Sequence, residues 1–166
     1  MADKQKKKAK TGLISTSQTV AENRKSRFDY HLEDKFEAGI ELKGTEVKSL
    51  RKGQCSLNES YVGPKRGEVF VFNMHIPEYQ QAGEHLQHDP KRPRKLLLHK
   101  KEIDKLLGAV NRQGYTIVPT HLYFNKRGVA KLGIALAKGK QKHDKRETIK
   151  QRDWARQKQR ILKENS

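Results

Sequence analysis

A basic C-terminal segment with few apolar residues is the strongest constraint on how this chain folds. Residues 138–163 carry 11 Lys or Arg against three acids. The apolar side chains in this stretch are Ile149, Trp154, Ala155, Ile161 and Leu162. Because so little apolar surface cannot offset the entropy of ordering, we predict that residues 138–166 are disordered or marginally helical until a partner binds. The positive charge of the segment favours a polyanion such as RNA.

The rest of the chain is basic as well, with a net charge of +18 over 166 residues. Residues 1–10 contribute +4 and residues 138–166 contribute +7, so the middle of the chain is also positive. Such a surface either keeps a protein in solution or binds nucleic acid, where neutralised phosphates release counterions and supply affinity. The size of the excess favours nucleic acid. Neither end pairs its charge with a broad apolar helix face, so we expect no membrane partner.

Cysteine usage and hydropathy indicate a cytoplasmic protein. Cys55 is the only cysteine, so no intrachain disulfide can form and a reducing compartment is compatible. The basic N-terminus is not followed by the apolar run of a secretory signal. No stretch approaches the roughly 20 apolar residues of a membrane span.

Period-two alternation of apolar side chains predicts six short strands between the two basic ends. These lie at 28–32, 36–42, 56–62, 68–76, 115–124 and 130–136. A short helix is predicted over 45–51. A longer one follows His99, where apolar residues recur at i, i+3, i+4 and i+7 from Ile103.

Six antiparallel strands around one long helix predict a mainly β fold, an OB-like barrel with short additional helices. The barrel is predicted to span residues 21–137. A disordered basic arm at 1–20 precedes it, and the tail at 138–166 follows. The connection over 77–95 contains the basic run 91–95, and connections of this length are usually functional or disordered.

Catalytic or metal chemistry has little support in the sequence. His85, His88 and Asp89 lie close together, but their spacing fits no ligand template and Cys55 has no second thiol. The acids do not form a convincing pair for acid–base chemistry. We therefore predict a binding protein without a catalytic residue, metal or cofactor.

Candidate RNA contacts precede and follow the first predicted strand. The segment before that strand carries three bases and an amide: Arg24, Lys25, Arg27 and Asn23. Such a segment is typical of phosphate clamping, although a solvated polar lead-in has the same composition. Glu37 and Glu46 either orient a neighbouring arginine, accept a hydrogen bond from a base or ribose, or are ordinary exposed acids. Their spacing does not decide between these interpretations.

The tail divides into a flexible basic part and a helix-favouring part. The first part is Lys138, Gly139, Lys140, Lys142, His143, Asp144, Lys145 and Arg146, with the intervening Gln141. His143 is the one ring there that can stack on an unpaired base. In the second part the candidate contacts are Lys150, Trp154 and Ile161. Trp154, Lys158 and Ile161 share one helix face, which is too narrow to fold alone.

Six stretches occur in a characteristic order along the chain. They are NRKSR from Asn23, FEAGI from Phe36, GTEVKSLR from Gly44, RKLLLH from Arg94, AKGK from Ala137 and HDKR from His143. Together they resemble the SsrA-binding protein family, SmpB, the bacterial partner of transfer-messenger RNA. The resemblance runs from about residue 20 to the end of the chain.

This resemblance implies an OB-like barrel that binds the tRNA-like domain of transfer-messenger RNA and delivers it to ribosomes stalled on messages without a stop codon. It implies that the protein catalyses no chemistry and acts as a monomer. Family roles in RNA binding fall on Asn23, Glu37, Leu97 and His99, and other members have Asn at the position of His99. Further candidates within the matching stretches are Glu46, Lys48, Arg51, Arg94 and Lys95.

For the tail, the resemblance implies a helix that occupies the decoding region and the empty mRNA channel of the small ribosomal subunit. His143 resembles the residue that stacks on ribosomal RNA, and Asp144, Lys145 and Arg146 match the motif needed for peptide tagging. A ribosomal protein or a general OB-type RNA chaperone is the alternative, because either shares the charge and the barrel.

Overall fold

The computed structural model describes residues 13–14, 16–112, 114–139 and 142–165, with the backbone alone for residues 142–145. The strands are β1 (Gln18–Glu22), β2 (Tyr30–Ile40), β3 (Tyr61–Lys65), β4 (Glu68–Phe72), β5 (Arg94–Leu97), β6 (Tyr115–Phe124) and β7 (Ala130–Gly139). The helices are α1 (Arg24–Asp29), α2 (Gly44–Arg51), α3 (Lys100–Asn111) and α4 (Lys142–Glu164), with a 3₁₀ turn at Glu84–Leu86.

The strands form one antiparallel sheet that closes on itself. Their order is β1-β6-β3-β4-β5-β2-β7, and β7 pairs back onto β6. Strand β7 pairs with one edge of β6 along the whole length of β6. The other edge of β6 pairs with β3 at Ile117 and with β1 at residues 121–124. Strands β2 to β7 therefore complete the ring, and β1 adds to it. The predicted mainly β, OB-like barrel is confirmed.

The described residues form seven strands, whereas the sequence pattern predicts six. The segments 28–32 and 36–42 form one strand, β2, with an irregularity between Leu32 and Lys35 instead of a turn. Strand β1 lacks an alternating pattern and depends on its pairing with β6. Strand β5 has only four residues and lies at the end of the long connection. Because β1 begins at Gln18, residues 18–20 of the predicted arm belong to the sheet.

Apolar side chains from both the sheet and the helices fill the core. In β4, Val69 and Val71 are fully buried and point inward, whereas the phenylalanines between and after them lie on the outer side. Leu50 from α2 and Leu106 from α3 are also fully buried in this core. Burial of each such side chain contributes roughly 1.5–3 kcal/mol relative to exposure. The helix α3 lies where the spacing from Ile103 predicts it.

Two polar side chains order the long connection between β4 and β5. Gln87 accepts a hydrogen bond from the Tyr79 N–H at 3.2 Å and donates to the Ala82 carbonyl at 3.1 Å. Buried His88 donates from Nε2 to the Ile76 carbonyl at 2.9 Å, and its Nδ1 is hydrogen-bonded to the Thr45 hydroxyl at 2.8 Å. Within the described residues, no group of three His, Cys, Asp or Glu is arranged to hold a metal ion.

Helix α4 is continuous over 23 residues, where the sequence predicts a tail that is disordered or marginally helical until a partner binds. Its many Lys, Arg, Gln and Glu side chains lose little rotamer freedom in a helix, and its length exceeds the roughly 12–15 residues below which helices are marginal. The Arg152 guanidinium lies 5.5 Å from the Phe28 ring of α1. Trp154 remains 65 % exposed and Leu162 63 %. No helix in the described ranges is both long and apolar enough to cross a membrane.

Candidate nucleic-acid interface

The outer faces of four neighbouring strands form one surface. Tyr123 of β6 pairs with Lys131 of β7, Lys131 with Gly39 of β2, and Gly39 with Leu97 of β5. Residues directly opposite each other across an antiparallel pair point to the same side of the sheet. Leu97 is 49 % exposed, so this row lies on the outside of the barrel.

A second row of outward positions lies beside the first. It contains His121 of β6, Gly133 of β7 and Glu37 of β2. Sequence reasoning did not identify Tyr123, His121 or Lys131 as surface candidates. The alternation in residues 115–124 carries the signal for His121 and Tyr123, because inward Leu122 and Phe124 place both outside. The alternation in residues 130–136 places Lys131 outside in the same way.

A groove of about 460 Å³ crosses this surface beside the start of α3. Exposed His99 immediately precedes the helix, and its backbone N–H donates to Glu102 Oε2 at 3.2 Å. The groove brings together four of the predicted residues: Glu37, Lys95, Leu97 and His99. Gly39, Glu68 and Lys131 also line it.

Gly39 lets Leu97 lie directly against the backbone of β2. A Cβ atom added to Gly39 would lie 3.1 Å from the Leu97 Cβ, which is closer than ordinary contact. A side chain at position 39 would therefore push Leu97 outward by a few tenths of an ångström.

Glu37 is an exposed carboxylate with a fixed partner. Burial, together with a hydrogen bond from the Tyr123 hydroxyl to Glu37, raises the pKa of Tyr123 to about 12. A carboxylate held in this way keeps further lone pairs for an incoming donor such as a base amino group or a ribose 2′-hydroxyl. Of the three interpretations of Glu37, the oriented hydrogen-bond acceptor fits this arrangement best.

Lys95 is a groove cation with an acidic partner. Its Nζ lies 2.9 Å from Glu68 Oε1, and this hydrogen bond raises the pKa of Lys95. Both side chains are partly exposed, so salt screens the pair. An incoming phosphate would compete with Glu68 for the ammonium group.

Helix α1 presents its bases from a structural anchor. Asn23 is 6 % exposed, caps α1 through its Oδ1 and donates from Nδ2 to the Pro119 carbonyl at 3.0 Å. This side chain therefore fixes α1 against β6 and is not an exposed phosphate ligand. Arg24, Lys25 and Arg27 are exposed around it. Arg24 and Arg27 line a cavity of about 200 Å³ with His121.

Glu46 and Arg94 are wrong as predicted RNA contacts, because both side chains are completely buried. The carboxylate of Glu46 binds Arg94 Nε and also Arg92 Nη2, and it accepts from the Lys43 N–H at 2.8 Å. Arg94 additionally donates to the Met74 carbonyl at 2.6 Å. Spacing alone did not reveal the burial, which goes with the ion pair between α2 and β5. The pair joins these two elements, as the arginine-orienting interpretation of Glu46 predicts.

Lys48 and Arg51 lie away from the groove. The ammonium of exposed Lys48 is 5.4 Å from the centre of the Tyr79 ring, beside that of Lys52 at 4.8 Å. The guanidinium of Arg51 is 5.7 Å from the Phe124 ring. These bases therefore form a separate positive region on α2.

The tail residues are only partly described. Lys138 and Gly139 are exposed at the end of β7, with the Lys138 ammonium 5.2 Å from the Tyr115 ring. Four further candidates on α4 are exposed: Arg146, Lys150, Trp154 and Ile161. Outside the described residues or side chains are Lys140, Lys142, His143, Asp144 and Lys145.

A family model described as SmpB protein matches residues 20–164, most of the chain. This chain belongs to the SmpB family. The SsrA-binding protein of Rhodopseudomonas palustris strain BisB18 is 61 % identical over 144 residues, or 87 % of this chain and 91 % of that relative. The SsrA-binding protein of strain BisB5 is 57 % identical over 163 residues, or 98 % of each chain.

The fold is also that of a solved SmpB structure. A chain in the structure described as "tmRNA-SmpB: a journey to the center of the bacterial ribosome" superposes with a TM-score of 0.61 at 46 % identity. The superposition covers 78 % of this chain and 93 % of that one. Membership of the SmpB family therefore rests on both sequence and fold.

Proposed function

We propose that this chain binds the tRNA-like domain of transfer-messenger RNA and carries it to stalled ribosomes for trans-translation. In this proposal it works in the cytoplasm as a monomer and catalyses no reaction. The barrel over residues 21–137 binds the RNA, and the tail over 138–166 enters the decoding region and the mRNA channel of the small subunit.

The observation that carries this proposal is the groove that gathers Glu37, Lys95, Leu97 and His99. Three of them, Glu37, Leu97 and His99, are positions that the resemblance to the SmpB family links to RNA binding. The groove offers a fixed acceptor, a cation and an exposed apolar side chain, the mixture needed for a folded RNA with exposed bases and ribose hydroxyls. Membership of the SmpB family supports the identity of that RNA.

The direct test compares the tRNA-like domain with an unrelated structured RNA of the same length, at moderate and high salt. Charge alone supplies affinity that falls steeply with salt and does not distinguish the two RNAs. We expect the preference for the tRNA-like domain to persist at high salt. If the two RNAs bind with equal affinity at each salt concentration, the result would favour the general RNA chaperone instead.

Replacement of Glu37 by Gln should weaken binding of the tRNA-like domain by about 1.5–3 kcal/mol, because a charged acceptor is lost while the shape is kept. Glu68 lines the same groove and pairs with Lys95, so it is a poor control. Exposed Glu78 in the long connection is the matched control, and Glu78→Gln should change affinity by less than roughly 0.5 kcal/mol. Equal losses in the two variants would make Glu37 an ordinary surface acid.

The exposed apolar residues of α4 support a separate role for the tail. Trp154 and Ile161 are 65 % and 53 % exposed on a strongly basic helix, so the described part of the chain leaves this face uncovered. A channel lined by RNA phosphates would neutralise the charge and give this face contacts. Binding there would combine stacking with phosphate neutralisation.

Replacement of His143 by Ala should impair peptide tagging on stalled ribosomes and leave the affinity for isolated transfer-messenger RNA unchanged. The reason is that a ring stacked on a base contributes roughly 1–3 kcal/mol, which a neighbouring cation does not replace. Lys142→Ala is the matched control and should reduce tagging less. A His143→Ala defect in RNA binding with normal tagging would contradict the assignment.

A further inference from the structure

We propose that His121 and Tyr123 form a stacking shelf on which an unpaired base of the bound RNA packs, with the adjoining phosphate held by Arg24 and Arg27. This inference rests on the proposed function and extends it, because the shelf lies beyond the groove that contains Glu37. The ligand is one splayed nucleotide of the folded RNA.

The two rings of the shelf are already stacked. Their centres lie 4.9 Å apart and their planes differ by 16°. The Thr120 hydroxyl is hydrogen-bonded to His121 Nδ1 at 2.9 Å, and the Tyr123 hydroxyl is held by Glu37. Both rings are half-buried, which leaves part of their surface open to solvent. A base added to such a fixed stack costs little ordering of the protein.

Gly133 sets the position of the His121 ring. A Cβ atom at residue 133 would lie 2.5 Å from His121 Cε1 and 2.6 Å from its Nδ1. The imidazole therefore rests on the bare backbone of β7, where any other residue would collide with it. Packing of the core does not require this glycine, because the His121 ring that needs it lies on the outer face of the sheet.

An opening adjoins the His121 end of the stack. It has a volume of about 200 Å³ and is lined by His121 but not by Tyr123. Small-molecule sites are larger, typically about 300–1,000 Å³, so the opening suits a single planar group. Base stacking on aromatic rings accepts any base, since every base has a π-face.

Charge around the opening suits the phosphate of the same nucleotide. Arg24 and Arg27 of α1 line it, together with Glu22, whose Oε2 lies 3.9 Å from Arg24 Nε. The Arg24 side chain is 93 % exposed, so that weak pair leaves its guanidinium accessible. Arginine supplies planar, bidentate donors to phosphate oxygens.

The test uses the full chain, the isolated tRNA-like domain as probe, and equilibrium binding at several salt concentrations. His121→Ala should lower affinity about fivefold or more at every salt concentration, the lower end of the stacking range. His121→Phe keeps a ring and should retain most of the affinity. Tyr61→Leu, which removes a 50 % exposed aromatic residue from β3, is the control and should change little.

Salt dependence separates stacking from charge. The slope of log affinity against log salt should be unchanged in His121→Ala, because no phosphate contact is lost. In Arg24→Ala or Arg27→Ala the slope should become less steep by about 0.7–0.9, the contribution of one phosphate contact. A less steep slope in His121→Ala would mean that His121 contacts a phosphate, which would overturn the stacking role.

Gly133→Ala provides an independent variant. It should displace the imidazole and lower affinity to the level of His121→Ala, and the double variant should bind no worse than either single one. Circular dichroism and thermal unfolding establish that each variant is folded. If wild type shows no preference for the tRNA-like domain, the proposed function fails. If it shows that preference and His121→Ala binds equally well, the shelf alone is wrong.

Discussion

A chain that ends at Gly139 should bind the tRNA-like domain nearly as tightly as the whole chain, yet fail to support tagging on stalled ribosomes. The groove residues all precede this cut, and the sheet is complete at the end of β7. The expected loss of tagging is essentially total, because the tail alone would reach the mRNA channel. Filter binding and a tagging assay measure the two properties.

Salt must be controlled in this comparison, since the tail contributes several phosphate-neutralising bases. We expect a modest difference in affinity at low salt that disappears at high salt. A chain with residues 142–165 in scrambled order keeps the length and charge, and it should also fail in tagging. Near-complete loss of RNA affinity in the shortened chain would refute the division of labour between barrel and tail.

Replacement of Arg94 by Met should lower the free energy of unfolding by about 3–5 kcal/mol, because the buried carboxylate of Glu46 would lose its fully buried partner. Hydrogen bonds to the Met74 and Pro90 carbonyls would be lost as well. Urea unfolding at pH 7 measures the change. Lys95→Met is the matched control on the same strand. It breaks a partly exposed pair that salt screens, so it should lower the free energy of unfolding far less than Arg94→Met does.

The pH dependence of this pair has a defined sign. Burial alone would raise the pKa of Glu46, but hydrogen bonds from Arg92, the Lys43 backbone and Arg94 outweigh it and hold the pKa below the ordinary 4.5. The stability that this carboxylate contributes is therefore complete above pH 4.5 and is lost as the pH falls through the folded-state value. In Arg94→Met the buried acid protonates more readily, so the stability gap to wild type should narrow from pH 7 to pH 4. A constant gap would contradict this role.

The sequence predicts the barrel well where one side of a strand is buried. In residues 115–124 and 130–136, alternation alone locates β6 and β7. It fails for β1, whose side chains are mostly polar and whose place depends on hydrogen bonds to β6. It also splits β2, because the exposed run around Asp34 has the composition of a turn although the backbone continues as a bulged strand.

For the site, the sequence identifies residue types but not their burial. Glu46 and Arg94 are residue types that also contact RNA. Whether such a side chain is buried, as these two are, or lines the groove, as Glu37 and Lys95 do, depends on which way its strand or helix faces. Alternation along β6 places His121 on the outer face, but the linear sequence does not predict where its ring lies. Its position depends on Gly133, which lies opposite it on another strand and is 12 residues away.

The strand that closes the barrel is the last strand along the described residues. Strand β7 pairs with β6 and β2 at once, so that Gly139 lies opposite Tyr30. Contacts between such distant residues form slowly, and during synthesis the partner edges of β2 and β6 stay open until residues 130–139 have emerged. A message broken before that point would yield a chain with an unclosed sheet. A protein proposed to rescue stalled ribosomes must therefore itself be translated through residue 139 before its own sheet can close.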